Sequence, residues 1–471
     1  MNLKDPGSTT VPVSKAAQRH SRSETRQRRT TALRQLQAGI EWNRQPWVAF
    51  ALLIAFLLAL GANGAHGQTV LTNGGNHDGA IAAFQTNSWT LSANAGENIF
   101  LRLGSVGYRP LIRLFAPGGV EVASDNGAGG GRDAYIAYTA TNSGTFTVTV
   151  QANTSGQSGP YTLRYAKVPG AFIVPAGDEG GPLTNGGNHA GTNELGDLDL
   201  WTFAANAGET IFLRLGSVNY RPNIRLFEPG GQQVASDNSV SGAEDAYIAY
   251  AATNNGTFTV LAEAHAYGAS GTYTLRYAKV PGAFIVPADD EGGPLTNAFQ
   301  HTGSIELGDL DMWSFQVCRA SVLSLTCEEL STTGIFNPRM HLFGQGGALL
   351  AVAEDAALAV IVYQPTNSGL FTLIVDGGNS GNTGTYRLTG TGLVDSGLRF
   401  CPLLVSGGIL DIAAVGGTPG TNGVLYTTTN LLPPVVWSPI WTNSFDPSGL
   451  FQYTNTFNPN EPKRFFRLEH K

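Results

Sequence analysis

The sequence predicts an all-β protein: three tandem jelly-roll-like antiparallel β-sandwiches followed by a small β-rich C-terminal module. Three observations predict it. Glycine is abundant, 60 of 471 residues, and charged residues make up only 13%. Thr, Asn, Val, Phe and Tyr stand where long helices would use Ala, Leu, Glu and Lys. A block of sequence recurs with a period near 112 residues, the size of a domain with its own core rather than a solenoid turn. Within each block, apolar residues alternate over short runs between Gly, Asn, Pro and Ser turns, the pattern of half-buried antiparallel strands.

Residues 1–45 form a basic segment, expected to be disordered and to stay on the cytoplasmic side. Residues 46–67 follow as a signal peptide or signal anchor. Their apolar run, Trp47 to Leu60, is 14 residues long, short for a bilayer span and suited to an export signal. Ala65 and Gly67 supply small residues for cleavage before Gln68. Both readings export the rest of the chain, to the exterior, the periplasm or the cell surface. Contact with a membrane is expected only through this segment, if it is not cleaved. The net charge of −7 divides into +6 for residues 1–67 and −13 for the remainder. That acidic balance makes nucleic acid a poor partner.

The first repeat is placed at 68–180, the second at 181–292 and the third at 293–392. FLRLGSVGYRPLIRLFAPG at 100–118 returns at 212–230 with 16 of 19 positions identical. YTLRYAKVPGAFIVPA at 161–176 returns unchanged at 273–288. In the second repeat, strands are expected at Leu200–Phe203, Ile211–Leu215, Ile224–Leu226, Tyr247–Tyr250, Gly256–Leu261 and Gly271–Tyr277, with turns at Ala207-Gly208-Glu209 and Pro229-Gly230-Gly231. The third copy is diverged. Residues 393–471 have a composition of their own, with Trp437, Trp441 and a Phe-rich end, and form the C-terminal module.

Three cysteines, Cys318, Cys327 and Cys401, do not suggest a disulfide framework. Cys318 is expected at a hairpin turn, Cys327 several residues up the returning strand. That separation is too long for a bond between them. Cys327 takes the place of the inward Leu215 and reads as a buried thiol.

Four segments carry a family resemblance. They are Gly-Asp-Leu-Asp-Leu-Trp-Thr-Phe at 196–203 with its copy at 308–315, Ile-Arg-Leu-Phe-Glu-Pro-Gly-Gly running on to Asp237-Asn238, Asn-Gly-Thr-Phe-Thr-Val at 255–260, and Gly-Thr-Tyr-Thr-Leu at 271–275. In this order they resemble the bacterial pre-peptidase C-terminal domain, a jelly-roll-like sandwich appended to secreted proteins, over about residues 70–392. The first repeat departs from the pattern, with Gln85 and Asn87 in place of the two aspartates. The resemblance implies Ca²⁺ for some members, held by linker acids together with the opening aspartates. Here these are Asp178, Glu179, Asp197 and Asp199 at the second repeat, and Asp289, Asp290, Glu291, Asp309 and Asp311 at the third. The plainer reading makes them solvated turn residues.

His77, His189 and His301 recur at equivalent positions, but no second ligand stands at metal spacing, so a turn hydrogen bond is expected. The loop pairs Tyr108-Arg109 and Tyr220-Arg221 either present an aromatic to a sugar or peptide, or seal the core edge. No nucleophile elbow, zincin helix or phosphate loop occurs, and an acid site triplicated with its framework is a poor enzyme. The expectation is an exported, non-catalytic protein that binds or adheres to extracellular polysaccharide or protein. The alternatives are a structural spacer presenting the C-terminal module, an accessory protein of a secreted hydrolase system, and an enzyme with an unrecognised site.

Overall fold

A computed structural model describes residues 69–471 apart from 128–130, 240–244, 332–335, 379–380, 457 and 461–462. The basic segment and the export signal lie outside the described residues. Among the described residues there is no helix; the chain is all β. No described segment is a helix long and apolar enough to cross a membrane.

Each repeat is a sandwich of one five-stranded and one four-stranded sheet. In the second repeat the five-stranded sheet runs Gly180–Pro182, Asp199–Ala205, Gly256–Ala264, Pro222–Phe227, Gln233–Asp237 in spatial order. The four-stranded sheet runs Gly187–Asn193, Gly271–Val280, Thr210–Gly216, Asp245–Ala251. All pairings are antiparallel except the outermost in the larger sheet, where Gly180–Pro182 lies parallel to Asp199–Ala205. The inner faces close on Phe203, Leu213, Leu215, Ile224, Leu226 and Phe258, all buried. Burying these side chains is the main favourable term, on the order of 2 kcal/mol for each.

Every strand read from alternation is present, and three more join them. Gly187–Asn193 has no apolar alternation. It forms because Gly191 lies opposite Tyr273 in the ladder, where a β-carbon would stand 2.4 Å from the phenol ring. Tyr161 covers Gly79 and Tyr386 covers Gly303 in the same way.

Consecutive repeats are locked together. Phe100, Ala166 and Val168 of the first pack on Leu198, Leu200, Phe227 and Leu261 of the second. Phe212, Ala278 and Val280 of the second pack on Leu310, Met312, Phe343 and Ile374 of the third. Glycines allow the backbones to meet. A β-carbon on Gly104 would sit 2.2 Å from the Leu195 carbonyl oxygen, and one on Gly216 would sit 2.4 Å from that of Leu307. The linkers are pinned where they leave the sandwich. Asn185 donates to the carbonyls of Lys279 and Ala283 at 3.0 Å, and Pro281 lies against Gly347 of the next repeat.

The C-terminal module is two small sheets around Ile412, Leu425, Phe445 and Phe451. Its tie to the third repeat corrects the reading of the cysteines. Cys318 and Cys401 form a disulfide across a sequence separation of 83. Cys318 lies where the chain crosses from one sheet of the sandwich to the other, not in a hairpin, so its partner comes from outside the repeat. Arg319 pairs with Asp411 beside the disulfide, and Gln345 donates to Asp446 at 2.7 Å. Cys327 is a buried free thiol.

Candidate functional site

The acids of the repeat openings gather at the two junctions. At the first, carboxylate oxygens of Asp178, Glu179 and Asp199 all lie within 4.8 Å of one another; at the second, those of Asp290, Asp309 and Asp311 do. Linker and strand supply them together. Asp178 accepts from Asn76 of the first repeat at 3.0 Å, and Asp290 accepts from Asn188 of the second at 2.9 Å. Asp199 and Asp311 lie at the start of the buried strands Asp199–Ala205 and Leu310–Val317 and accept from Tyr273 and Tyr386. Their other carboxylate oxygen, Oδ1, is buried without a hydrogen-bond partner.

Burial, reinforced by Asp197, Asp178 and Glu179, raises Asp199 well above the usual carboxylate range. Burial with Asp309, Asp290 and Glu291 does the same to Asp311. Burial pushes Asp309 to about 7, partly offset by Arg276.

Asp197 does not join the first group. It caps the turn by accepting from the backbone N–H of Glu194 and of Leu198, each at 2.9 Å, and pairs with Arg164 of the preceding repeat at 2.6 Å. Asp309 caps its own turn the same way and meets Arg276 at 2.5 Å. The opening aspartate therefore grips the repeat before it. Asp289 is exposed and, like Glu291, lies outside the second group of three.

The first repeat lacks these acids, and among the described residues no sandwich docks on that side of it. Gln85, Thr86 and Ser88 take the places of Asp197, Leu198 and Leu200, and Asn87, in the place of Asp199, donates to Tyr161 at 3.0 Å. Phe84 stands where Gly196 and Gly308 meet the neighbouring backbone, keeping their positive φ (66° against 75° and 73°) while lying exposed.

The opposite side of each junction carries a matching set. Buried Arg102 pairs with Asp133 at 2.8 Å and donates to the Ala264 carbonyl of the second repeat at 2.9 Å. Arg214 pairs with Asp245 and donates to the Gly377 carbonyl of the third at 3.3 Å. Sequence reading missed these arginines. The signal was present, since Arg102, Asp133 and Arg164 recur as Arg214, Asp245 and Arg276, while the third repeat has Thr326, Leu358 and Thr389.

The tyrosines of the aromatic loops turn inward. Tyr108 and Tyr220 are buried, 4% and 7% exposed, and seal the core edge. Arg109 and Arg221 bond the carbonyls of Asn126 and Asn238 at 2.6 Å, bracing the neighbouring loop. Two of the three recurring histidines make the expected turn hydrogen bond, while His301 lies exposed with its ring 5.1 Å from that of Trp313. His189 Nε2 accepts from the Thr184 N–H at 3.0 Å and Nδ1 donates to the Leu275 carbonyl at 3.3 Å, with the ring edge-on to Trp201. His77 makes the same contacts with Thr72 and Leu163.

Hard oxygen donors grouped around a buried, unpartnered carboxylate oxygen fit a divalent cation such as Ca²⁺. Asp178, Glu179 and Asp199 would hold it at the first junction; Asp290, Asp309 and Asp311 would hold it at the second.

No family model matches the chain, and no curated protein does. Among solved structures, the pre-peptidase C-terminal domain of a Bacillus anthracis collagenase is similar over 22% of this chain and 96% of that domain, at 18% identity and a TM-score of 0.19. The Bacteroides ovatus mixed-linkage glucan utilization locus protein SGBP-B, solved with a heptasaccharide, is similar over 87% of this chain and 93% of that one, at 11% identity and a TM-score of 0.13. Tripeptidyl peptidase 2 is similar over 85% of this chain and 40% of that one, at 9% identity and a TM-score of 0.15. These likenesses assign the chain no ligand and no activity.

Proposed function

We propose that the chain is an exported, non-catalytic scaffold whose sandwiches, locked end to end, hold the C-terminal module in a fixed relation to the first repeat. The observation that carries this reading is the repeated junction, in which a buried arginine reaches across to an aspartate of the next repeat beside a continuous apolar contact. Flexibly linked modules need no such buried charges, whose removal from water is costly unless they are paired. The Cys318–Cys401 disulfide supports an oxidising destination.

Calcium is part of the proposal. A cation among the junction acids neutralises carboxylates that burial and mutual repulsion otherwise disfavour, and so stiffens each linker. Extracellular polysaccharide or protein is the partner class in this reading. The C-terminal module is the surface presented to it, where Leu432, Val436 and Trp441 are exposed. The burial of Tyr108 and Tyr220 weighs against binding through the repeats themselves.

Rigidity and export are both open to experiment. Scattering from the chain in solution should give a single elongation with and without crowding agents, and protease added to intact cells should reach the third repeat. A chain that samples many elongations, or one recovered whole from the cytoplasm, overturns the scaffold reading.

A further inference from the structure

In the third repeat the strand Leu358–Tyr363 is the outermost of the four-stranded sheet and pairs on one side only, with Leu323–Glu329. The Glu329 N–H donates to the Ala357 carbonyl at 2.8 Å. The alternation of an antiparallel ladder then turns the N–H and C=O groups of Leu358, Val360 and Val362 toward the open edge.

The first two repeats protect this edge. Asp125 accepts from the Tyr135 N–H, and Asp237 from the Tyr247 N–H, each at 2.7 Å. Ala353 holds the ladder position of those aspartates in the third repeat, so Val360 has lost the cap. Among the described residues only the Leu358 N–H is held, by Asp355 at 3.2 Å.

The side chains have changed together with the cap. Asp245 and Tyr247, covered by the next repeat, become Leu358 and Val360, which are 46% and 45% exposed, with Val362 at 67%. On the neighbouring outer strand, Leu349 and Val352 stand exposed where the second repeat has Gln233 and Ser236.

A further sandwich cannot dock here as the others do. Glu328 occupies the place of Gly216, where backbone must meet backbone, and its ion pair with Arg387 lies across this face. Strand addition remains possible, because the strand carries no charge, Gly or Pro, the usual guards of an exposed edge.

We infer that this edge pairs with the same edge of a second copy of the chain, antiparallel across a two-fold axis at Val360. The pairing is self-complementary. Val360 faces its own copy, Leu358 faces Val362, and the acidic end at Glu354 and Asp355 meets the uncharged Gln364-Pro365 end. An isologous contact of this kind closes at two copies. Its small area predicts a weak dimer, in the range of micromolar dissociation constants. The result would be two scaffolds joined at their third repeats.

Sedimentation velocity of the full chain from about 1 to about 100 µM should show the mass doubling with concentration. Val360→Lys should abolish the doubling and leave the thermal midpoint in place, whereas Val106→Lys, on an exposed loop of the first repeat, should change neither. Val360→Cys should give a covalent dimer with a short bis-maleimide. A chain that stays monomeric throughout, including one whose edge is covered by a different protein, overturns the inference. So does a dimer that survives Val360→Lys.

Discussion

Arg164, on the last strand of the first repeat, reaches Asp197, in the opening turn of the second, at 2.6 Å, and both side chains are almost fully buried. The contact lies off the N–H axis, so it is an ion pair more than an aligned hydrogen bond. Arg276 and Asp309 repeat it at the next junction. Each pair joins two domains, so its loss should uncouple them.

Arg164→Met keeps the stem and removes the charge, leaving Asp197 buried and unpaired. The expected cost is about 3 kcal/mol. Calorimetry should show the single transition of the parent splitting in two, with new proteolysis in the linker at 169–179.

Gly216→Ala places a methyl group 2.4 Å from the Leu307 carbonyl oxygen, a contact that backbone cannot relieve locally. The junction must part, and its apolar contact is lost. Destabilisation on the order of 3 kcal/mol is expected. Gly118→Ala, a control with open space at its β-carbon but positive φ, should cost only about 1 kcal/mol.

The junction acids set a pH dependence. Asp309 is raised from 3.8 to about 7, so between those values the folded chain holds a proton that the unfolded chain has released. Stability from this group is fully present below about pH 4 and falls as pH rises toward 7, by up to about 1.4 kcal/mol per pH unit. Denaturant titrations of the parent and of Asp309→Asn should show the fall flattened in the variant.

Calcium should act in the opposite sense, because the cation competes with protons for the same oxygens. At a hundredfold excess over its dissociation constant it should add about 2.7 kcal/mol per site, more at pH 8 than at pH 5. Asp199→Asn should remove the response of the first junction and leave that of the second. Equal thermal midpoints in calcium and in chelator would remove the metal from the account.

Cys401→Ser opens a link that closes 83 residues of chain. Loop entropy alone puts the loss at about 4.5 kcal/mol. The C-terminal module should then melt before the third repeat, and reduction of the parent should reproduce the effect.

The sandwich architecture was legible because alternation and duplication are local signals. Leu213, Leu215, Ile224 and Phe258 point inward as their spacing requires. The junctions were harder to read. Arg102 and Arg214 sit at outward positions in their strands, where a charge ordinarily meets water, and only the neighbouring repeat buries them. The opening aspartates were visible as a motif, as was their replacement by Gln85 and Asn87 in the first repeat. The structure shows what they do where they are present, since Asp197 and Asp309 each grip an arginine of the repeat before them. The Cys318–Cys401 bond was missed because spacing says nothing of partners that folding brings from another domain.

In this scaffold successive repeats are fixed to one another. Spin labels at Val106 and Val218, exposed and equivalent positions in the first and second repeats, report this through the distribution of distances between them. One narrow distribution, broadened by Arg164→Met, is the expected result. A broad distribution in the parent chain would mean that the repeats move independently, and the scaffold account would fail.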